Sequence, residues 1–92
     1  MNSTNTEAEE LLDVDVSEKK NNSIILFNDE VNTFDYVIES LIEVCDHDAI
    51  QAEQATILVH YVGKCDVKKG DMNKLKPLCG ELLRRGLTAE IH

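Results

Sequence analysis

Ninety-two residues hold one domain, and a hydrophobic fraction of 42%, with no Trp, two Phe and two Tyr, allows a modest and mainly aliphatic core. A net charge of -9, from 18 acidic against 9 basic residues, argues against a phosphate-binding surface and therefore against nucleic acid as a ligand. No apolar run approaches the length of a membrane span, and the acidic N-terminal stretch lacks both an apolar signal segment and a transit-type composition.

Residues 1–22 are rich in Asn, Ser, Thr and Glu, with Leu11-Leu12, Val14 and Val16 as short apolar interruptions. This composition predicts a flexible acidic tail, with the folded core in residues 23–92. Leu11 and Leu12 amid acids offer a transient docking element, the plainer alternative being a solubilising leader. Ser23 to Phe27 reads as a short strand. Asn32, with Asp35 three positions on, predicts the cap of a first helix, in which Phe34, Val37, Ile38, Leu41, Ile42 and Cys45 recur at helical spacing. Asp48 with Gln51 repeats the capping pattern and opens a second helix toward His60 or Tyr61, with Gly63 as its left-handed stop. That helix has two apolar sides, one of Ile50, Ile57, Leu58 and Tyr61, and a smaller one of Ala52, Ala55 and Val59.

Lys64 to Lys69 alternates, with Cys65 and Val67 as the inward pair, and Gly70 closes this second strand. Asp71 caps a third helix carrying Met72, Leu75, Cys79, Leu82 and Leu83. Pro77 within it predicts either a kink or a start near Pro77, because proline removes an internal amide. Gly86 ends the element, and Leu87, Ala89 and Ile91 alternate in a last strand. The expected fold is an α/β (α+β) two-layer sandwich of order β-α-α-β-α-β, a three-stranded antiparallel sheet packed against three helices. The pattern does not fix strand order.

Charge is unevenly distributed. Eight carboxylates lie between Asp29 and Glu53 with no Lys or Arg among them, whereas seven basic residues crowd between Lys64 and Arg85. Such a dipolar surface can steer a protein partner, and it equally suits ordinary solvated helix faces. Cys45, Cys65 and Cys79 lack metal-type spacing and are expected as reduced thiols of a cytoplasmic protein, packed as small hydrophobes. Asp46-His47-Asp48 is a short ligand-capable cluster that equally suits a polar connection between helices, and no known metal or calcium motif is present. No cofactor is expected.

The stretch ILFNDEVNTF sets Asn28 and Asp29 at the end of the first strand. His60 is the one histidine expected deep within the fold, since His47 lies between helices and His92 is terminal. With Asp29 orienting it, His60 would still need a nucleophile that spacing does not supply, so an enzyme is not expected. An ammonium group instead requires acceptors in a defined arrangement. Asn28 offers an amide oxygen, Asp29 a carboxylate and neutral His60 a ring nitrogen, while Phe34, Val37, Thr56 and Val59 provide apolar surface beside them. Together they would recognise both the amino group and the apolar side chain of a peptide's first residue.

ILFNDEVNTFDYVI, then ATILVHYVGK, then the closing GLTAEI resemble the ClpS family of adaptors over nearly all of Ile24 to Ile91. The order and spacing of the strand-Asn-Asp start and of Val-His-Tyr-x-Gly-Lys carry the resemblance. It implies a noncatalytic adaptor that binds proteins bearing N-terminal Leu, Phe, Tyr or Trp. The adaptor hands them to a Clp-family AAA+ unfoldase of the ClpA or ClpC type, with its ClpP-type protease. It further implies amino-group recognition by Asn28, Asp29 and His60, and a side-chain pocket from Glu30, Asn32, Phe34, Val37, Thr56, Val59 and Leu87. A monomer is the default. The chain departs from the family pattern at Glu30, where a second Asp is frequent, and at Asn32-Thr33, where Thr-Pro is frequent. Phe34 and Thr56 each stand where Met is common, which predicts an altered preference among Leu and the aromatics. A general protein-interaction domain of the same fold and a small hydrolase using His60 are the competing expectations.

Overall fold

The strand β1 (Asn22–Phe27) lies at the centre of a three-stranded sheet of order β2-β1-β3 in the computed structural model, which describes residues 22–92. The expected tail and its Leu11-Leu12 pair lie outside the described residues, save Asn22, which begins β1. Both neighbours, β2 (Lys64–Gly70) and β3 (Thr88–Ile91), run antiparallel to β1, placing Leu26 opposite Cys65 on one side and Ala89 on the other. Ile24 and Leu26 point into the core and Ile25 lies between them on the alternating strand, and all three are buried.

Helices α1 (Phe34–Cys45), α2 (Ala49–Val62) and α3 (Met72–Arg84) complete the order β-α-α-β-α-β and the expected two-layer α+β sandwich. The core joins Ile24 and Leu26 of the sheet to Val37 and Leu41 of α1, Ala52 and Ala55 of α2, and Leu75 and Leu82 of α3. Of the two apolar sides of α2 the small one is inside. Ala52 is fully buried, whereas Ile50, Leu58 and Tyr61 face out. Alanines let the helix backbone approach α1 and β2 closely, and larger side chains there would hold it away.

Helix α1 is capped by Thr33, whose Oγ1 accepts from Tyr36 N at 3.1 Å, and not by Asn32 as the spacing implied. Asn32 instead donates its side-chain amide to Asp29 and to Gly86 O. Asp48 caps α2 through Gln51 N, and Asp71 caps α3 through Lys74 N. The third helix runs unbroken through Pro77, with neither a restart nor a shortened span.

The histidine expectation is reversed. His47 is the buried one, its Nε2 lying 2.6 Å from the Val67 carbonyl, and His60 is exposed. The Asp46-His47-Asp48 cluster is a structural joint: Asp46 takes the left-handed conformation that ends α1, His47 docks on β2 and Asp48 starts α2. Burial pushes the Cys45 thiol up to about 11 and raises the Cys65 and Cys79 thiols as well, so all three are poor thiolates at neutral pH.

Candidate functional site

Where β1 runs out, Asn28 N donates to Gly63 O at 3.0 Å, fastening the strand end to the end of α2. Gly63 adopts φ 106°, the left-handed geometry that turns the chain from α2 directly into β2. Asn28 and His60 are thereby brought to one mouth although they are far apart in sequence.

The four residues that follow fold around Asp29. Its Oδ1 accepts from Val31 N and Asn32 N, both at 2.9 Å. The Asn32 Nδ2 donates to the same carboxylate, at 3.2 Å from Oδ1 and 3.0 Å from Oδ2. Burial of the carboxyl would raise its pKa, but the hydrogen bonds from Asn32 and Val31 outweigh that and hold it below the usual carboxylate range. Asp29 therefore remains ionised while it organises the turn. It does not orient His60, whose ring makes no side-chain hydrogen bond among the described residues. That ring instead meets Phe34 and Tyr61 edge-on, with centroids 5.5 and 4.7 Å away.

Behind this mouth lies a narrow cavity of about 40 Å³. Asn28, Asp29 and Asn32 line it from the first turn, Phe34 and Val37 from α1, Thr56, Val59 and His60 from α2, and Leu87 from the approach to β3. Thr56 donates its hydroxyl to Ala52 O at 2.8 Å, so the polar end of that side chain is satisfied within its own helix. Glu30 stands outside this cavity, in a wider depression of about 310 Å³ that it shares with Asn28, Asp29, Asn32, Phe34 and His60. Leu26 and Phe27 also line the cavity, a role that their strand alternation did not reveal because it belongs to the point where the strand ends.

Among the described residues, two carboxylates and no Lys or Arg line the cavity and the depression together. A cation is favoured at such a mouth and an anion is not. The arrangement can accept hydrogen bonds from a charged donor at the rim and bury an apolar group behind it. Cys45 and Cys65 are absent from both linings, and the Thr56 hydroxyl beside His60 is committed to Ala52 O.

Comparison with known proteins gives three findings. The family model described as ATP-dependent Clp protease adaptor protein ClpS matches residues 17–90. A search of curated proteins returns no match. Among solved structures, Agrobacterium tumefaciens ClpS2 bound to L-phenylalaninamide shares the fold with a TM-score of 0.76 and 16% identity, over 80% of this chain and 96% of that one.

Proposed function

Because the chain belongs to the ClpS family of ATP-dependent Clp protease adaptors, we propose that it captures proteins by the free α-amino group and bulky apolar side chain of their first residue. The observation that carries this is the junction, at one strand end, of the Asn28, Asp29 and His60 acceptors with a narrow cavity walled by Phe34, Val37, Val59 and Leu87 and lined by no Lys or Arg among the described residues. An ammonium group has three donors, and an amide oxygen, a carboxylate and an imidazole nitrogen are three acceptors for them. Phe34, Val37, Thr56, Val59 and Leu87 enclose the side chain, with Asn32 at the edge and Glu30 beside the following residues of the peptide. The ligand of the Agrobacterium protein, L-phenylalaninamide, has the same two features, and its amide stands for the next peptide bond.

The preferred first residues are Leu, Phe, Tyr and Trp. The bound protein passes to a Clp-type AAA+ unfoldase, of the ClpA or ClpC kind, with its ClpP-type protease. The adaptor works in the cytoplasm as a noncatalytic monomer. Deleting residues 1–21, which precede the first strand pair, should leave peptide affinity within about twofold while impairing substrate degradation by the unfoldase and protease. Loss of both would assign the tail to the pocket.

Fluorescence anisotropy tests the recognition step with a Leu-initial peptide, its N-acetylated twin and a Glu-initial control. Selective binding of the free Leu peptide is expected, and His60→Ala should weaken it by about tenfold or more, as befits a hydrogen bond to a charged group. Equal binding of all three peptides would refute the reading. At the cavity mouth the stiff Phe34 ring is braced on His60. Phe34→Met replaces it with a flexible chain and should change the order of affinities among Leu-, Phe-, Tyr- and Trp-initial peptides. An unchanged order would remove Phe34 from the specificity determinants.

A further inference from the structure

Leu87 is 4% exposed and forms part of the cavity wall, but it belongs to no helix or strand. It follows directly on the turn Arg85-Gly86, and the position of that turn determines where the Leu87 side chain stands. Gly86 adopts φ +87°, and Leu87 N donates to Leu82 O at 3.0 Å. Two side chains from the other side of the site also hold this turn. Asn32 Nδ2 donates to Gly86 O at 2.9 Å, across 54 positions of sequence, and Tyr36 Oη donates to Arg85 O at 2.8 Å. The Arg85 side chain is itself paired with Glu43 of α1 at 2.8 Å and with Glu81 of α3 at 3.1 Å.

Asn32 differs from Tyr36 in one respect. Its amide nitrogen carries two hydrogens, and both are engaged, one by the Asp29 carboxylate and the other by Gly86 O. Asp29 organises the loop at the amine end of the site, whereas Gly86 precedes the wall that meets the ligand's side chain. A single planar group therefore sets the distance between the two halves. We infer that Asn32 is a positioning residue for specificity, which couples Asp29 to the Arg85-Gly86 turn and so fixes Leu87 and the size of side chain that the cavity admits.

This rests on the recognition reading proposed above. With the turn tethered, Leu87 cannot retreat from a larger ligand, and the protein discriminates by size. With the tether cut, the wall yields and the discrimination falls. Tyr36 holds the same turn without touching Asp29, so the two residues separate the effects. Asn32→Ala disturbs both halves of the site, and Tyr36→Phe only one.

The experiment measures the affinity of the full chain and of each variant for fluorescent peptides beginning with Leu, Phe and Trp, together with the N-acetylated Leu peptide. Urea denaturation verifies that each variant is folded. Asn32→Ala should weaken all the free-amine peptides by about tenfold and narrow the spread among them by about threefold or more. Tyr36→Phe should narrow that spread in the same direction while the preference for the free over the acetylated Leu peptide persists. Asn32→Asp, which sets two carboxylates against each other, should bind more weakly than Asn32→Ala. Folded variants that lose affinity uniformly, with the spread unmoved by either Asn32→Ala or Tyr36→Phe, overturn the inference and leave the recognition reading intact. If Asn32→Ala fails to fold, Tyr36→Phe alone decides, and an unmoved spread overturns the inference. A wild-type protein that does not distinguish free from acetylated Leu peptide overturns both.

Discussion

Asp29→Ala is expected to reduce the affinity for a Leu-initial peptide by about a hundredfold or more, the largest loss of any single site substitution. The carboxylate contributes twice. On the proposed reading its charge attracts the ligand ammonium, and its oxygens take hydrogen bonds from Val31 N, Asn32 N and the Asn32 side chain. Hydrogen bonds to charged groups are worth about 1.5–3 kcal/mol each, and 1.4 kcal/mol is a decade of affinity. Losing the attraction together with the loop order therefore removes at least two decades. Asp29→Asn separates the two contributions, because it retains an acceptor oxygen but removes the charge, and it should lose about tenfold. Calorimetric titration with the Leu-initial peptide checks both variants, and an Asp29→Ala affinity within a factor of about three of wild type would contradict the assignment.

The same carboxyl sets a limit on the acid side. Its folded-state pKa is depressed, so its contribution to loop stability is complete above the ordinary carboxylate range and is lost as pH falls through the lowered folded value. The order of the 29–32 turn should accordingly be unchanged from neutral pH down into the ordinary carboxylate range and should collapse only below it. Amide chemical shifts of Val31 and Asn32, followed through an acid titration, would report the transition, and a midpoint above the ordinary range would contradict the hydrogen-bond scheme.

Leu41→Ala should destabilise the domain by about 2–5 kcal/mol, the usual cost of emptying a fully buried leucine site. Leu41 has no exposed surface and sits among the residues that join α1 to the sheet and to the other helices. Small domains are stable by only about 5–15 kcal/mol, so the loss should be visible as a large shift in the urea midpoint. Leu58→Ala provides the contrast. Leu58 is 46% exposed on the outer side of α2, and its truncation should stay within about 0.5 kcal/mol. Comparable losses for the two would mean that α2 packs by its larger side.

That comparison also marks where the sequence was readable. The hydrophobic runs and their turns gave the order of all six elements, and the caps Asp48 and Asp71 were found from short side-chain oxygens at the right spacing. For α2, ranking by residue size would have turned Ile50 and Tyr61 inward, but how closely two helices can approach is a property of the assembled layers. Asn32 and Thr33 both carry capping oxygens, and choosing between them required Asp29, three residues away, and Gly86, 54 positions away. His47 and His60 were exchanged for a similar reason: burial of His47 depends on a carbonyl of β2 that only the folded sheet brings near. Of the candidate site residues, all but Glu30 line one cavity, and Asn28, Asp29 and His60 meet at its mouth because they lie just after or near the end of regular elements.

The strand that runs out just before Asn28 is also the one paired on both sides. Its central amide protons are therefore expected to exchange with solvent chiefly through opening of the whole domain. A ligand that binds only the closed site lowers the open population by the full binding term. At a free concentration about a hundred times its Kd, it should slow deuterium uptake along β1 by about a hundredfold. The middle of the sheet thereby registers the occupancy of a pocket at its edge.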